Sequence, residues 1–193
     1  MKYYLAFIFL FVFSCFAYCE GKTLEEYAAE MNTVSTLKSS FKEQKNLSLL
    51  SLPIESEGFL IFDKKAQKLL WHYQKPFDNG FLIEKDLIFR IQNGTKQQVQ
   101  NAVGKIMAAQ MLIWLTFDFD SLKQNYNITL TQSGIVFVPI KSHKVIKQIT
   151  VVPDQTDPKI IKQVKMEQPG GDFILWTFDN IQINPEVKKE VLE

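Results

Sequence analysis

The chain has 193 residues, 22 Lys and Arg against 21 Asp and Glu, and 46% hydrophobic residues. That balance leaves no electrostatic footprint for nucleic acid, and no basic run with interleaved aromatics supplies one locally. Two histidines, His72 and His143, are too few and wrongly spaced for a His-based zinc site.

Residues 2–19, KYYLAFIFLFVFSCFAYC, carry one Lys, then about a dozen apolar residues, then Ala17 and Cys19 at signal-peptidase spacing. The run is short for a bilayer span, which needs ~20 residues. It reads as a secretory signal over 1–19, cleaved on export. An uncleaved anchor and a lipoprotein signal acylated at Cys15 are the alternatives. Both cysteines, Cys15 and Cys19, lie in this run, so the mature chain has no thiol. Residues 20–193 are enough for one domain held by its own core.

Thr23 and Glu26 fit a capping box. Leu24, Tyr27, Ala28, Met31, Val34 and Phe41 follow at spacings of three, four and seven, which predicts an amphipathic helix. From Leu47 to Gln100 the period becomes two. NLSLLSL, EGFLIFD, KLLWHYQ, GFLIEKD and LIFRIQN are separated by turn residues such as Pro53, Pro76 and Asn93-Gly94, as in an antiparallel meander. In EGFLIFD, Phe59 and Ile61 alternate with Leu60 and Phe62, so both faces are apolar. A sheet with one wet face would alternate apolar and polar residues. Both faces are therefore covered, or one lines an apolar cavity.

A second helix is expected from about Gln97 to Thr116, apolar nearly all round, with a stripe of Ile106, Met107, Met111 and Trp114. It is an ordinary core helix or an adaptable, Met-bearing cover. Five more strands follow in YNITLTQ, GIVFVPI, KVIKQITVVPD, KIIKQVKMEQP and DFILWTFDNIQI, and the tail NPEVKKEVLE suits a short terminal helix.

Catalytic signals are sparse. There is no GxSxG elbow, no HExxH and no phosphate-binding glycine loop. Ser39-Ser40-Phe41-Lys42 matches S-x-x-K without its partner motifs, and Asp118 and Asp120 suit helix capping. Asn46, Asn93 and Asn127 fit N-x-S/T and matter only in a glycosylating host. His143 is expected in solvent, and His72 on the outward side of its strand. No enzyme activity, metal or cofactor is expected.

The order of elements resembles the LolA family of periplasmic lipoprotein carriers. Phe41-Lys42-Glu43-Gln44 is like the family's F-x-Q. Gly58-Phe59-Leu60, Trp71-His72-Tyr73 and Pro76 resemble G-x-L…W-x-Y/M…P. Trp176-Thr177-Phe178-Asp179-Asn180 with Ile183-Asn184 resembles the closing T-F-x-N…I-N. The resemblance implies an α+β fold: an incomplete, half-open antiparallel β-barrel of about ten or eleven strands covered by α-helices. It puts Leu60, Phe62, Leu69, Trp71 and Leu82 on the lipid-binding face, with Ile106, Met107, Met111 and Trp114 closing over it. The family's Arg-Pro after the G-x-L strand is replaced by Asp63-Lys64-Lys65-Ala66, which makes Lys64 the candidate for lid control. The implied protein is a monomeric periplasmic chaperone that carries the acyl chains of lipoproteins or related lipids. It would run between an inner-membrane lipoprotein-releasing transporter and an outer-membrane acceptor. A LolB-like acceptor anchored at Cys15 and a lipid-sensing regulatory module are the alternatives.

Overall fold

The structure, a computed structural model, describes residues 22–85, 87–100 and 119–187. Helix α1 (Leu24–Met31) starts where the capping box places it. The Thr23 hydroxyl accepts from the Glu26 N–H at 3.2 Å, and the Glu26 carboxylate accepts from the Thr23 N–H at 2.7 Å. It buries Ala28 and Met31. The helix does not continue to Phe41 as the spacing predicts. Asn32 caps it, and Thr33, Val34 and Thr36, all β-branched, favour extended backbone. Phe41 lies on strand β1 (Thr36–Asn46) instead.

Five strands complete the first meander: β2 (Ile54–Asp63), β3 (Lys68–Lys75), β4 (Asn79–Glu84), β5 (Leu87–Gln92) and β6 (Thr95–Gln98). Two expectations fail here. NLSLLSL is the β1–β2 loop and not a strand, and Gln97 and Gln98 belong to β6 and not to a helix. The rest of the expected second helix lies outside the described residues. Helix α2 (Phe119–Asn125) leads into β7 (Tyr126–Thr131), β8 (Gly134–Pro139), β9 (Gln148–Pro153), β10 (Ile161–Glu167) and β11 (Phe173–Ile183). Asp120 sits in the first turn of α2, where its charge suits the helix dipole. Of the tail, residues 184–187 are irregular, and 188–193 lie outside the described residues.

All eleven strands form one antiparallel sheet in the order β6-β5-β4-β3-β2-β1-β11-β10-β9-β8-β7. Its edges, β6 and β7, do not pair, so the barrel stays open. The sheet is strongly curved. Trp71 on β3 and Trp176 on β11 are three strand spacings apart, about 14 Å in a flat sheet. Their rings meet edge to face at 6.2 Å. The described helices lie over only part of the concave side. α1 and α2 pack Leu24, Tyr27, Met31, Phe119 and Leu122 onto Ile135, Phe137, Ile149, Val151 and Met166 of β8–β10. Among the described residues, a smaller cluster of Ile61, Leu70 and Leu82 lies on the convex side with Phe59, Phe89 and Val187.

Asn184 joins the two ends of the chain. Its side-chain carbonyl accepts from the Ser35 N–H at 2.7 Å and the Ser35 hydroxyl at 2.9 Å, and its amide donates to the Thr33 carbonyl at 3.2 Å.

Candidate functional site

Strand register decides which side chains share the concave face. Leu60 faces Trp71, Phe62 faces Leu69, and Leu69 faces Ile83. Leu60, Phe62, Leu69 and Trp71 thus stand together, buried with Phe41, Ile83, Ile88 and Phe178. Leu82 does not join them. It faces Leu70, and the alternation of β4 turns it to the convex cluster, leaving its expected place to Ile83. The G-F-L-I run, apolar on both faces, offered no way to choose between the two registers. Ile106, Met107, Met111 and Trp114 lie outside the described residues.

The words that carry the family resemblance converge here from four distant stretches. Phe41 stacks on Trp71 with centroids 4.3 Å apart and meets Tyr73 edge to face at 5.4 Å. Phe178 meets Trp71 edge to face at 6.2 Å. Gly58 makes room for the Phe41 ring: a Cβ there would lie 2.0 Å from the His72 carbonyl oxygen and 2.7 Å from Phe41 Cζ.

Within this aromatic group is a carboxylate that the sequence reading did not assign. Glu43, two residues after Phe41 on β1, is only 1% exposed. Its Oε2 accepts from the Tyr73 hydroxyl at 2.9 Å and from the Trp176 indole N–H at 2.8 Å. Its Oε1 lies 3.0 Å from the Lys45 ammonium, an ion pair that lacks hydrogen-bond alignment. Burial is the main cause that pushes the Tyr73 phenol well above its usual range, and the Glu43 charge adds to it. Trp71, 3% exposed, has no hydrogen-bond partner for its indole N–H among the described residues. The Trp71 side chain acts in the other direction on the Tyr73 phenol, lowering its pKa against burial and Glu43. Buried donors are normally satisfied, so an open one marks a place where an acceptor would be stabilised. The sequence held the signal for Glu43, because Phe41 and Glu43 alternate in phase once β1 is read as a strand.

Lys64 continues beyond β2 at the opposite end of the sheet. Its backbone N–H donates to the Ser35 carbonyl at 2.8 Å, and its ammonium makes long contacts to the Asn32 carbonyl and side chain at 3.4 and 3.3 Å. It thus touches the C-terminal cap of α1. His72 does face away from Trp71, as expected, but it is half-buried, 2.8 Å from Asp78 and against the Phe59 ring. His143 is not solvated as expected. Its Nδ1 accepts from the Val145 and Ile146 backbone N–H groups at 3.2 and 3.1 Å, which closes the turn before β9. Among the described residues no group of His, Cys, Asp and Glu could hold a metal ion. None of the described helices is long and apolar enough to cross a membrane.

Solved structures share this fold. A chain of the Pseudomonas aeruginosa MucA/MucB complex superposes with a TM-score of 0.53 at 13% identity. The match covers 88% of this chain and 59% of that one, so the present chain spans well under two thirds of that protein. A DUF1329 family protein from Desulfovibrio piger gives a TM-score of 0.53 at 12% identity, covering 87% and 95% of the two chains. A LolA superfamily protein from Nitrosomonas europaea gives 0.50 at 5% identity, covering 90% and 98%. Among curated protein sequences nothing matches. The sequence profile of the outer membrane lipoprotein carrier protein LolA matches residues 32–192, and the chain belongs to that family.

Proposed function

We propose that this chain is a periplasmic carrier that takes up the acyl chains of lipoproteins, or related lipids, on the β1–β5 and β11 part of its concave face. The observation that supports the reading is the unclosed sheet whose concave side gathers Leu60, Phe62, Leu69, Trp71 and Ile83 into one buried apolar cluster. Each buried acyl CH₂ contributes about 0.8 kcal/mol, so a few chains would be held without any catalytic group. The stripe Ile106, Met107, Met111 and Trp114 is proposed to close over the lipid, with Lys64 steadying α1 at the rim. The export signal over 1–19, a releasing transporter at the inner membrane and an acceptor at the outer membrane belong to the same reading.

The test is binding of a fluorescent fatty acid to protein recovered after export, together with native mass spectrometry for co-purified lipid. Near one-to-one binding, competed by an acylated peptide, supports a carrier. No binding at micromolar probe leaves the face a structural core. Met111→Asp separates cover from core: lost binding at unchanged melting temperature indicates a cover, and collapse of the fold indicates core. The fold neighbour from the MucA/MucB complex supports a second reading, a module that binds a protein partner. Mass analysis of the mature N-terminus tests a third, an acceptor acylated at Cys15.

A further inference from the structure

The two ends of the sheet differ in what their loops expose. Register places the β1–β2, β3–β4, β8–β9 and β10–β11 connections at one end. Lys45 faces Ile54, Glu57 faces Lys75, Glu167 faces both Phe173 and Gln148, and Phe137 faces Ile149. At that end Leu49 is 95% exposed, Leu52 78%, Phe77 73% and Ile140 52%. The loops of the opposite end carry Asp63, Lys64, Lys65, Asp154, Asp157 and Lys159, mostly half-buried, and its large apolar side chains are less exposed, Leu87 at 46% and Leu130 at 38%. Scattered exposed leucines are ordinary, but large apolar side chains gathered on neighbouring loop tips are not.

The leucine loop is held in place. From Asn46 to Ile54 it has no charged residue. The Leu50 N–H donates to the Leu47 carbonyl at 2.9 Å, and the Ser48 N–H donates to the Asp172 carboxylate at 2.7 Å. The Ser48 bond keeps that carboxyl below its usual range. A pinned turn therefore presents Leu49 and Leu52 outward.

We infer that this end of the half-barrel docks on a lipid bilayer, with Leu49, Leu52, Phe77 and Ile140 inserted at the headgroup–acyl boundary. A bilayer accepts separate tips without shape complementarity. A folded protein partner would need a contiguous patch, and the β8–β9 loop stands apart from the β1–β2 and β3–β4 loops, with β11 and β10 between them in the sheet. Charge decides the lipid type. Lys75 pairs with Glu57 at 3.1 Å, and Asp78 lies 2.8 Å from His72, so charges behind the Phe77 tip are compensated, while Lys141, Lys144 and Lys147 beside Ile140 are exposed. Docking therefore runs on apolar insertion, and the β8–β9 lysines add an attraction to anionic lipid that salt screens. The inference extends the carrier reading without resting on it, since the tips would insert whether or not the concave face holds cargo.

The test places an environment-sensitive fluorophore through Leu49→Cys, Leu52→Cys, Leu87→Cys or Leu130→Cys, the last two at the opposite end. The unsubstituted chain, labelled in parallel, gives any signal from Cys15 and Cys19. With phosphatidylcholine vesicles, labels at 49 and 52 should brighten and shift to the blue, and those at 87 and 130 should not. Adding phosphatidylglycerol should strengthen the response, and salt should remove that gain without abolishing the response to phosphatidylcholine. Leu49→Ser with Leu52→Ser should weaken vesicle partition by roughly tenfold per leucine at unchanged melting temperature. Equal response at both ends, or none at 49 and 52, overturns the inference. So does a shift that needs anionic lipid. A shift that grows with protein concentration without vesicles assigns the patch to a second copy and overturns it too. Fatty-acid binding in solution, measured on the same variants, fails separately if the carrier reading is wrong.

Discussion

The concave face has two parts that solve the same packing problem differently. Under α1 and α2, the β8–β10 part is filled with aliphatic and aromatic side chains, and Leu122, Ile135 and Phe137 are wholly buried. On the β1–β5 and β11 part, five aromatic rings surround a buried carboxylate, and one indole N–H has no partner among the described residues. An apolar core needs no such network, and an unmatched buried donor lowers stability. The difference separates a part built for stability from a part that keeps a polar anchor inside a greasy surface.

The largest effect that tests this contrast is on stability. Leu122→Ala, in the filled part, should cost about 2–5 kcal/mol. Fatty-acid binding per folded molecule should stay as it is. Chemical denaturation beside a binding titration reads both, and a parallel loss of binding would merge the two parts into one site. Glu43→Ala should cost somewhat less, roughly 2–3 kcal/mol, because the Tyr73 hydroxyl and Trp176 N–H lose their acceptor. Glu43→Gln, which keeps an acceptor oxygen, should recover about half of that. Equal losses for the two would mean that charge, and not hydrogen bonding, is what the site uses.

Trp71→Phe should change stability by less than about 1 kcal/mol, since the lost N–H has no partner among the described residues. It should weaken an ester-bearing lipid more than a plain hydrocarbon of equal length, if the N–H meets the ligand's carbonyl. Binding of both in the same ratio as before would make Trp71 a packing residue. The smallest effect appears at high pH. Tyr73 in the fold holds its proton beyond the ordinary phenol range near 10, which the unfolded chain keeps. Its contribution is complete below that pH and falls as pH rises through it, because the unfolded state then gives up the proton first. Burial likewise pushes Tyr126, in the other part, up to about 12. Tyr73→Phe and Tyr126→Phe should each flatten part of the alkaline decline, and no flattening with Tyr73→Phe would place its phenol in water.

Much of the architecture was legible. The capping box at Thr23 and the five late strands follow from local pattern, because caps and clean alternation are short-range signals. The end of α1 and the start of β1 were missed, because 3.6-residue spacing ran by accident from Met31 into Val34 and Phe41. That error hid Glu43, whose place beside Phe41 shows only with period two. The face that Leu82 takes is not legible locally, because register through β3 and β4 is a tertiary property. The loop NLSLLSL has strand composition but no strand to pair with, and composition alone does not report a missing partner.

The clamp at Asn184 has a kinetic consequence. Strands β1 and β11 are neighbours at the middle of the sheet, with Leu37 opposite Ile183 and Ser40 opposite Asp179. Every other strand pair joins segments adjacent in sequence. Each meander can therefore form by itself while the central seam waits for the last strand to be made. Closing that seam spans nearly the whole chain, and such non-local pairing is slow. Until then the facing edges of β1 and β10 are unpaired, and the aromatic site, which draws on both sides of the seam, does not exist. Completion of the aromatic site thus waits for β11, whose end is fastened by the Asn184 contacts to Ser35.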